Sequence, residues 1–241
     1  SGALNLTSTA TTLILNGVNN STSTGGINIT DLTGITVNTA TSVNANTGNL
    51  LLTAGTGTLT LSGTAALLST ALVDLTQDLI SISATSQIGG TAGFAGSAAT
   101  VVIDTNTATT TISIAGGTGS LLLPAASLDR VRATNVRIGN SASGAINIAS
   151  ATWTPAANFA ATLLTLQSAG TITQTAAINL GARSLILRSA GATLATGGNT
   201  ITNFAASQTG ALSISSNSGL VVSNLTDDIG TVAGIAAAAN N

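Results

Sequence analysis

The charge in this chain is gathered in a few places, chiefly the adjacent acids Asp227-Asp228 and an arginine-rich stretch running from Asp129 to Arg137. Paired carboxylates do general acid–base chemistry when two of them converge on one bond. Neighbours in a strand point to opposite faces, so Asp227 and Asp228 cannot converge there. In a turn they can hold a cation, but aspartate's turn preference makes a plain exposed turn the expected setting. Asp74 and Asp78 would share one face of a helix and are expected to be a solvated pair. Arg130 and Arg132 would share a strand face, and stacking of a coil or two would bring Arg137 beside them as a small anion-binding patch. The competing reading is a solvated face paired with Asp129, worth little stability. Trp153 offers a flat face for a sugar, or else covers the end of a core.

Around these groups most of the usual catalytic repertoire is missing. The chain has no His, Cys, Lys, Glu or Tyr, which removes most general bases and activated nucleophiles. Neither disulfides nor thiolate metal sites can form, and no metal or cofactor is expected. Gly116-Gly117-Thr118-Gly119-Ser120 begins like a calcium-binding nonapeptide, but Leu121 stands where the aspartate is required. A net charge of -2 is too small to attract nucleic acid. Polar residues interrupt every apolar run before the roughly 20 residues of a spanning helix, and the aromatic girdles of a membrane barrel are absent. The start at Ser1, without Met or a signal peptide, reads as a mature or excised segment.

The elements that must position the charged groups are written in one short phrase, Gly-x-Leu/Ile-x-Leu/Ile. It occurs at Gly25-Gly26-Ile27-Asn28-Ile29, at Gly48 to Leu52, at Gly57 to Leu61, at Gly119 to Leu123, at Gly144 to Ile148 and at Gly210 to Ile214. A turn residue followed by period-two alternation is a short strand with one apolar face. Such a unit cannot bury that face alone and must stack on copies of itself. Leu164 to Gly170 recurs as Leu185 to Gly191, one coil later. Val136 to Asn140 followed by Gly144 to Ile148 echoes Leu13 to Gly17 followed by Gly25 to Ile29. The fold class is therefore all-β, a parallel β-helix (β-solenoid) of roughly 10–12 coils over about 50–60 Å, forming a single domain across residues 1–241. Residues 65–80 fit either a helix or two strands, and Pro155 marks a loop or widened coil. Thr-x-Thr pairs such as Thr58/Thr60 and Thr200/Thr202 weakly resemble the arrays of ice-binding solenoids, but their spacing is uneven.

From Val136 to Ile235 the chain resembles the repeat region of filamentous-haemagglutinin-type exoproteins of bacterial two-partner secretion. The matching phrases are Arg137-Ile138-Gly139-Asn140, Gly144 to Ile148, Leu164 to Gly170 with Ile172-Thr173-Gln174, Gly198 to Ala206, Gly210 to Ile214 and Ser218 to Val222. The resemblance implies a right-handed coil and a place outside a Gram-negative cell, secreted or on its surface. The Asn-Pro-Asn-type signature of the family's secretion domain is absent, so the segment resembles shaft.

The function expected is a non-enzymatic structural module of a bacterial adhesin, forming a stiff extracellular shaft. The alternative is a filament or sheath subunit that stacks end to end, since a solenoid has two open sheet edges. The partners open to such a surface are a second copy and a host or cell-surface glycan or protein. A polysaccharide-active enzyme would need Asp and Arg residues to converge in one groove.

Overall fold

In a computed structural model, residues 2–20, 22, 24–90, 97–149, 154, 159 and 161–237 are described. The first coil holds β1 (Leu4–Ser8), β2 (Leu13–Leu15) and β3 (Val18–Asn19), and the second holds β4 (Ile27–Asp31), β5 (Gly34–Val37) and β6 (Ser42–Asn46). In the third, β7 (Leu50–Leu61) runs through both of the first two positions before β8 (Ala66–Ser69). In the fourth, β9 (Leu72–Ile82) does the same before β10 (Gln87–Ile88). A widened coil follows, with β11 (Ala98–Asp104), β12 (Ile112–Ile114), β13 (Leu121–Leu123) and a one-turn helix α1 (Ala125–Leu128). Then come β14 (Ala133–Ile138) and β15 (Ile146–Ile148), β16 (Leu163–Gln167) and β17 (Thr171–Gln174), and β18 (Asn179–Ser189) and β19 (Gly191–Leu194). The chain ends with β20 (Thr200–Gln208), β21 (Leu212–Ile214), β22 (Val221–Val222), β23 (Asn224–Thr226), β24 (Thr231–Ala233) and β25 (Ile235–Ala237).

These strands stack in parallel as a three-faced β-solenoid. The first face is a ladder in the order β1-β4-β7-β9-β11-β14-β16-β18-β20-β22. Its ten levels span about 45 Å at the spacing of hydrogen-bonded strands. The second face carries β2, β5 and the far halves of β7 and β9, then β13, β12, β15, β17, β19 and β21. The third carries β3, β6, β8 and β10. All six glycine-led phrases lie in these strands. The ambiguous segment at 65–80 is strand, because Leu67 stacks between Val43 and Ile88, and Leu75 between Leu52 and Ile103. A helix would have broken both ladders.

Alternation along each strand sets which side is dry. In β4, Ile27 and Ile29 are buried while Asn28 is exposed. Successive partners Leu4, Ile27, Leu50 and Val73 lie 23 residues apart and form one inward row. That row continues to Phe204 and Val222, and a parallel row runs from Leu6 through Ile29 and Leu52 to Ala206 and Ile235. One contiguous apolar core results. Burial at about 25 cal/mol per Å² supplies its driving force, level by level.

The second corner of the core is polar. Asp31, Gln77, Thr105, Ser143, Ser168, Ser189 and Gln208 are all buried where the chain leaves the first face. Most of them satisfy the backbone of the turn: Asp31 accepts from the Thr33 N–H at 3.0 Å, and Ser168 donates to the Gly144 carbonyl at 2.6 Å. Asp78 acts across coils, accepting from the Asn106 and Thr107 N–H groups at 3.0 and 2.9 Å. It is thus a buried turn anchor and not half of a solvated pair with Asp74.

The near-miss calcium phrase also has a structural use. The chain turns back on itself between β12 and β13, which pair in parallel with Ile112 beside Leu121. The reversal uses three consecutive positive φ angles, at Ala115 (62°), Gly116 (117°) and Gly117 (88°). A Cβ on Gly117 would lie 2.3 Å from the Ala149 Cβ, so no other residue fits. β13 packs against β9 and fills the level between it and β12.

Candidate functional site

On the outer side of the first face the rows are mostly small and polar, until the sixth level. One outward row reads Leu51, Asp74, Val102, Arg137, Thr165, Ile186 and Ala205 through successive strands. Ile186 and Ala205 are fully buried although they point away from the core. What covers them is the one antiparallel element among the described residues, a hairpin of β23 and β24. Its Val232 and Leu225 pack on Leu163, Ile186 and Ala205 as a second, separate apolar cluster.

This hairpin is an excursion from the tenth level. β22 and β25 both pair with β20, and the residues between them leave the ladder and return. Ser223 N–H donates to the Phe204 carbonyl at 3.1 Å, and Ala206 N–H donates to the Gly234 carbonyl at 2.9 Å. In an uninterrupted parallel strand, one residue would make both bonds. Ser223 and Gly234 together therefore replace a single strand residue, and the hairpin is inserted without loss of ladder bonds.

The tip of the strap is Asp227-Asp228. Asp227 is buried and takes Arg188 in a bidentate pair, Nε to Oδ2 at 2.9 Å and Nη2 to Oδ1 at 2.9 Å. Thr165 Oγ1 donates to the same carboxylate at 3.1 Å, and Arg188 also reaches the Gly230 carbonyl at 2.8 Å. The Ile229 and Gly230 N–H groups donate to Asp227 Oδ1 at 3.0 Å each, which shapes the turn. Burial alone would raise the Asp227 pKa, but the bonds from Arg188, Gly230 and Ile229 outweigh it and hold the carboxyl below its usual range. Asp227-Asp228 does sit in a turn, in which Asp228 and Ile229 are exposed as expected while Asp227 is drawn down onto the solenoid and buried.

Asp228 reaches further back and accepts from Arg137 Nε at 2.9 Å. Arg137 Nη1 meanwhile donates to Asp104 at 3.0 Å and to the Gly139 carbonyl at 2.8 Å. Asp74 lies two steps along the outward row. Burial, with Asp74 and Asp228 nearby, pushes the Asp104 carboxyl up to about 7 despite Arg137. Burial raises Asp74 too, against the pull of Arg137. An open groove of about 360 Å³ beside the strap is lined by Asn49, Leu72, Asp74, Thr100, Arg137 and Asp228.

Of the three arginines singled out from sequence as an anion-binding patch, only Arg137 reaches this place, where it meets Asp74 and Asp228. Arg130 and Arg132 flank Val131, whose bridge to Ile88 puts it beside the third face. Arg132 Nε donates to Gln87 Oε1 at 3.1 Å. They do not share a strand face, because Pro124 opens the helical turn α1 and the chain is still uncoiling from it at Arg130. Trp153 and Pro155 lie outside the described residues. Thr7, Thr30, Thr53 and Thr76 do stack in one outward file, but its neighbouring file holds Asn5, Asn28, Leu51 and Asp74. No paired threonine array results there. The acids Asp104 and Asp228 and the arginine Arg188 were not foreseen as partners.

Among the described residues no cluster of three metal-binding side chains is found, and no helix is long and apolar enough to cross a membrane. The chain matches no protein-family model, no curated protein and no solved structure. Chemically, the strap site offers a carboxyl that takes up a proton near neutrality, a second raised carboxyl, and a guanidinium shared among three acids.

Proposed function

We propose that this chain is a structural module, a stiff extracellular shaft of a secreted or surface-anchored bacterial adhesin. The observation that supports this most is the pair of inward rows that run unbroken through all ten levels of the first face. Bending such a rod means opening ladders and wetting a dry core at the same time. The outer faces of Thr, Asn and Ser keep it hydrated with few charges. Placement outside a Gram-negative cell, and a host or cell-surface glycan or protein as partner, come from the resemblance to exoprotein repeats. The test is to insert the chain between a cell-surface anchor and a fluorescent reporter and measure the reporter's distance from the membrane. A fixed standoff near the rod's length of about 45 Å is expected. A broad distribution of distances would overturn the shaft.

One observation favours a second reading, a polysaccharide-cleaving site. Asp74, Asp104 and Asp228 gather around Arg137 beside a groove, and a carboxyl raised to about 7 suits a general acid. Cleavage in a glycan panel that Asp104→Asn abolishes would establish it, and an inactive panel ends it.

A further inference from the structure

The strap is built so that it can leave the rod without disturbing it. Ser223 and Gly234 make between them the two ladder bonds of a single strand residue. β22 and β25 therefore keep their pairing with β20 whether or not the residues between them are docked. Gly234, at φ 65°, gives the returning chain a bend that other residues rarely adopt. Two things hold the hairpin down. One is the small cluster in which Val232 and Leu225 meet Leu163, Ile186 and Ala205. The other is the pair of carboxylates at its tip, on Arg188 and Arg137. Elements held by so few buried contacts are the first to open.

Arg137 cannot serve the strap alone. Its Nε donates to Asp228 at 2.9 Å while its Nη1 donates to Asp104 Oδ1 and Oδ2 at 3.0 and 3.3 Å. The Arg137 and Asp104 side chains are only 12% and 14% exposed, so water screens this pair weakly. Asp74 of β9 lines the same groove. β7, β16 and β20 bring no titratable side chain to the place. Asp78 is held at the corner by Asn106 and Thr107, and Arg188 of β18 is taken by Asp227. When the strap lifts, Asp104 and Asp74 lose a like charge and keep the whole guanidinium.

We propose that the strap is a proton-linked latch, closed on the rod while Asp104 holds a proton and loosened when Asp104 ionises and takes Arg137 for itself. Docking sets Asp228 near Asp104 and makes Asp104 a weaker acid, so ionising Asp104 weakens docking by the same factor. Burial does most to raise Asp104, to about 7, and Asp74; Asp228 adds to both. Asp104 thus binds its proton more tightly in the docked state, and its support for docking is lost as pH rises through about 7. Asp227 acts in the opposite sense. Against burial, its bonds from Arg188 and the turn hold it below its usual range, so its support is lost on acidification below about pH 4. The latch is tightest between these limits. On the alkaline side it opens to uncover Leu163, Ile186 and Ala205, an apolar strip on an otherwise polar face.

The test is amide hydrogen exchange of the full chain at about pH 5.5 and about pH 8.5, corrected for the intrinsic rate. Protection in β23 and β24 is expected to fall about tenfold between the two, the effect of moving one carboxyl's titration by about one pH unit. β4 and β5 stay unchanged, because each level of a solenoid answers to its neighbours. Asp104→Asn, uncharged at both pH values, keeps the strap equally protected at both. A second readout uses the absence of natural cysteine: Ile229→Cys places one spin label on the exposed tip of the strap. Its mobile fraction rises over the same range and stays level when Asp104→Asn is added. Equal strap protection at both pH values overturns the latch. So does a fall that persists in Asp104→Asn, or one shared evenly by β4 and β5.

Discussion

Asp227 and Asp228 follow one another at the tip of the strap, but they meet different electrostatic settings. Asp227 has one guanidinium, held with both oxygens, and its carboxyl is held below the usual range. Asp228 shares Arg137 with Asp104, and Asp74 stands close, so three acids divide a single positive charge. The first anchor is balanced and the second is overloaded. Burying a pair costs desolvation that only good geometry and a full set of hydrogen bonds offset. The Arg188 side meets that condition, and the Arg137 side meets it at the expense of Asp104.

The two anchors therefore respond to pH with opposite signs. Asp227 has a folded pKa below its unfolded value, so it stabilises above about pH 4 and loses that contribution as pH falls further. Asp104 has a folded pKa raised to about 7, so the folded state binds the proton more tightly. Its contribution falls as pH rises from about 4 through 7.

The sharpest way to break this comparison is Arg188→Ala. It leaves Asp227 buried beside Thr165 without its cation and is expected to cost about 3–5 kcal/mol in urea unfolding at pH 7. Removing the whole strap, by deleting residues 224–234 so that Ser223 joins Ile235, should cost less, about 2–3 kcal/mol. No carboxylate is then stranded, and the loss is the cover over Leu163, Ile186 and Ala205. Hydrogen exchange is expected to quicken in β16, β18 and β20 and to stay unchanged in β1, β4 and β7. Asp104→Asn should stabilise the chain by about 1–3 kcal/mol at pH 8, with the gain gone near pH 4. Melting curves at the two pH values check this, and a loss of stability at pH 8 would show the Arg137 site to be balanced after all. Asp228→Asn is expected to change stability by less than about 1 kcal/mol, because it weakens one ion pair while relieving Asp104. An effect as large as that of Arg188→Ala would erase the distinction between the anchors.

Much of the ladder could be read in advance. The match of Leu164 to Gly170 with Leu185 to Gly191 is the observed register, with Leu164 beside Leu185 and Gln167 beside Arg188. The other echo misleads. Leu13 lies in β2 on the second face, whereas Val136 lies in β14 on the first. Strand–turn–strand units look alike on every face, because each face asks only for alternate apolar residues. The hairpin had a signal, since Asn224-Leu225-Thr226 and Thr231-Val232-Ala233 flank a turn-forming Asp-Asp-Ile-Gly. Its docking partners had none: Arg188 is 39 residues from Asp227, and Arg137 is 91 from Asp228.

Alternation and glycine placement were enough, by themselves, to specify short strands that must stack, since a period-two apolar face has no other way to leave water. The same pattern set the inward rows and left their ends apolar. Only the folded chain decided which coil lies under which side chain. The lengths of the turns, from the doubled level at β13 to the strap, determine how far each level advances. Hence they alone bring Asp104, Arg137 and Asp228 together and leave Arg130 and Arg132 elsewhere. Local pattern acts over a few residues, whereas charge pairing here depends on loop lengths summed over several coils.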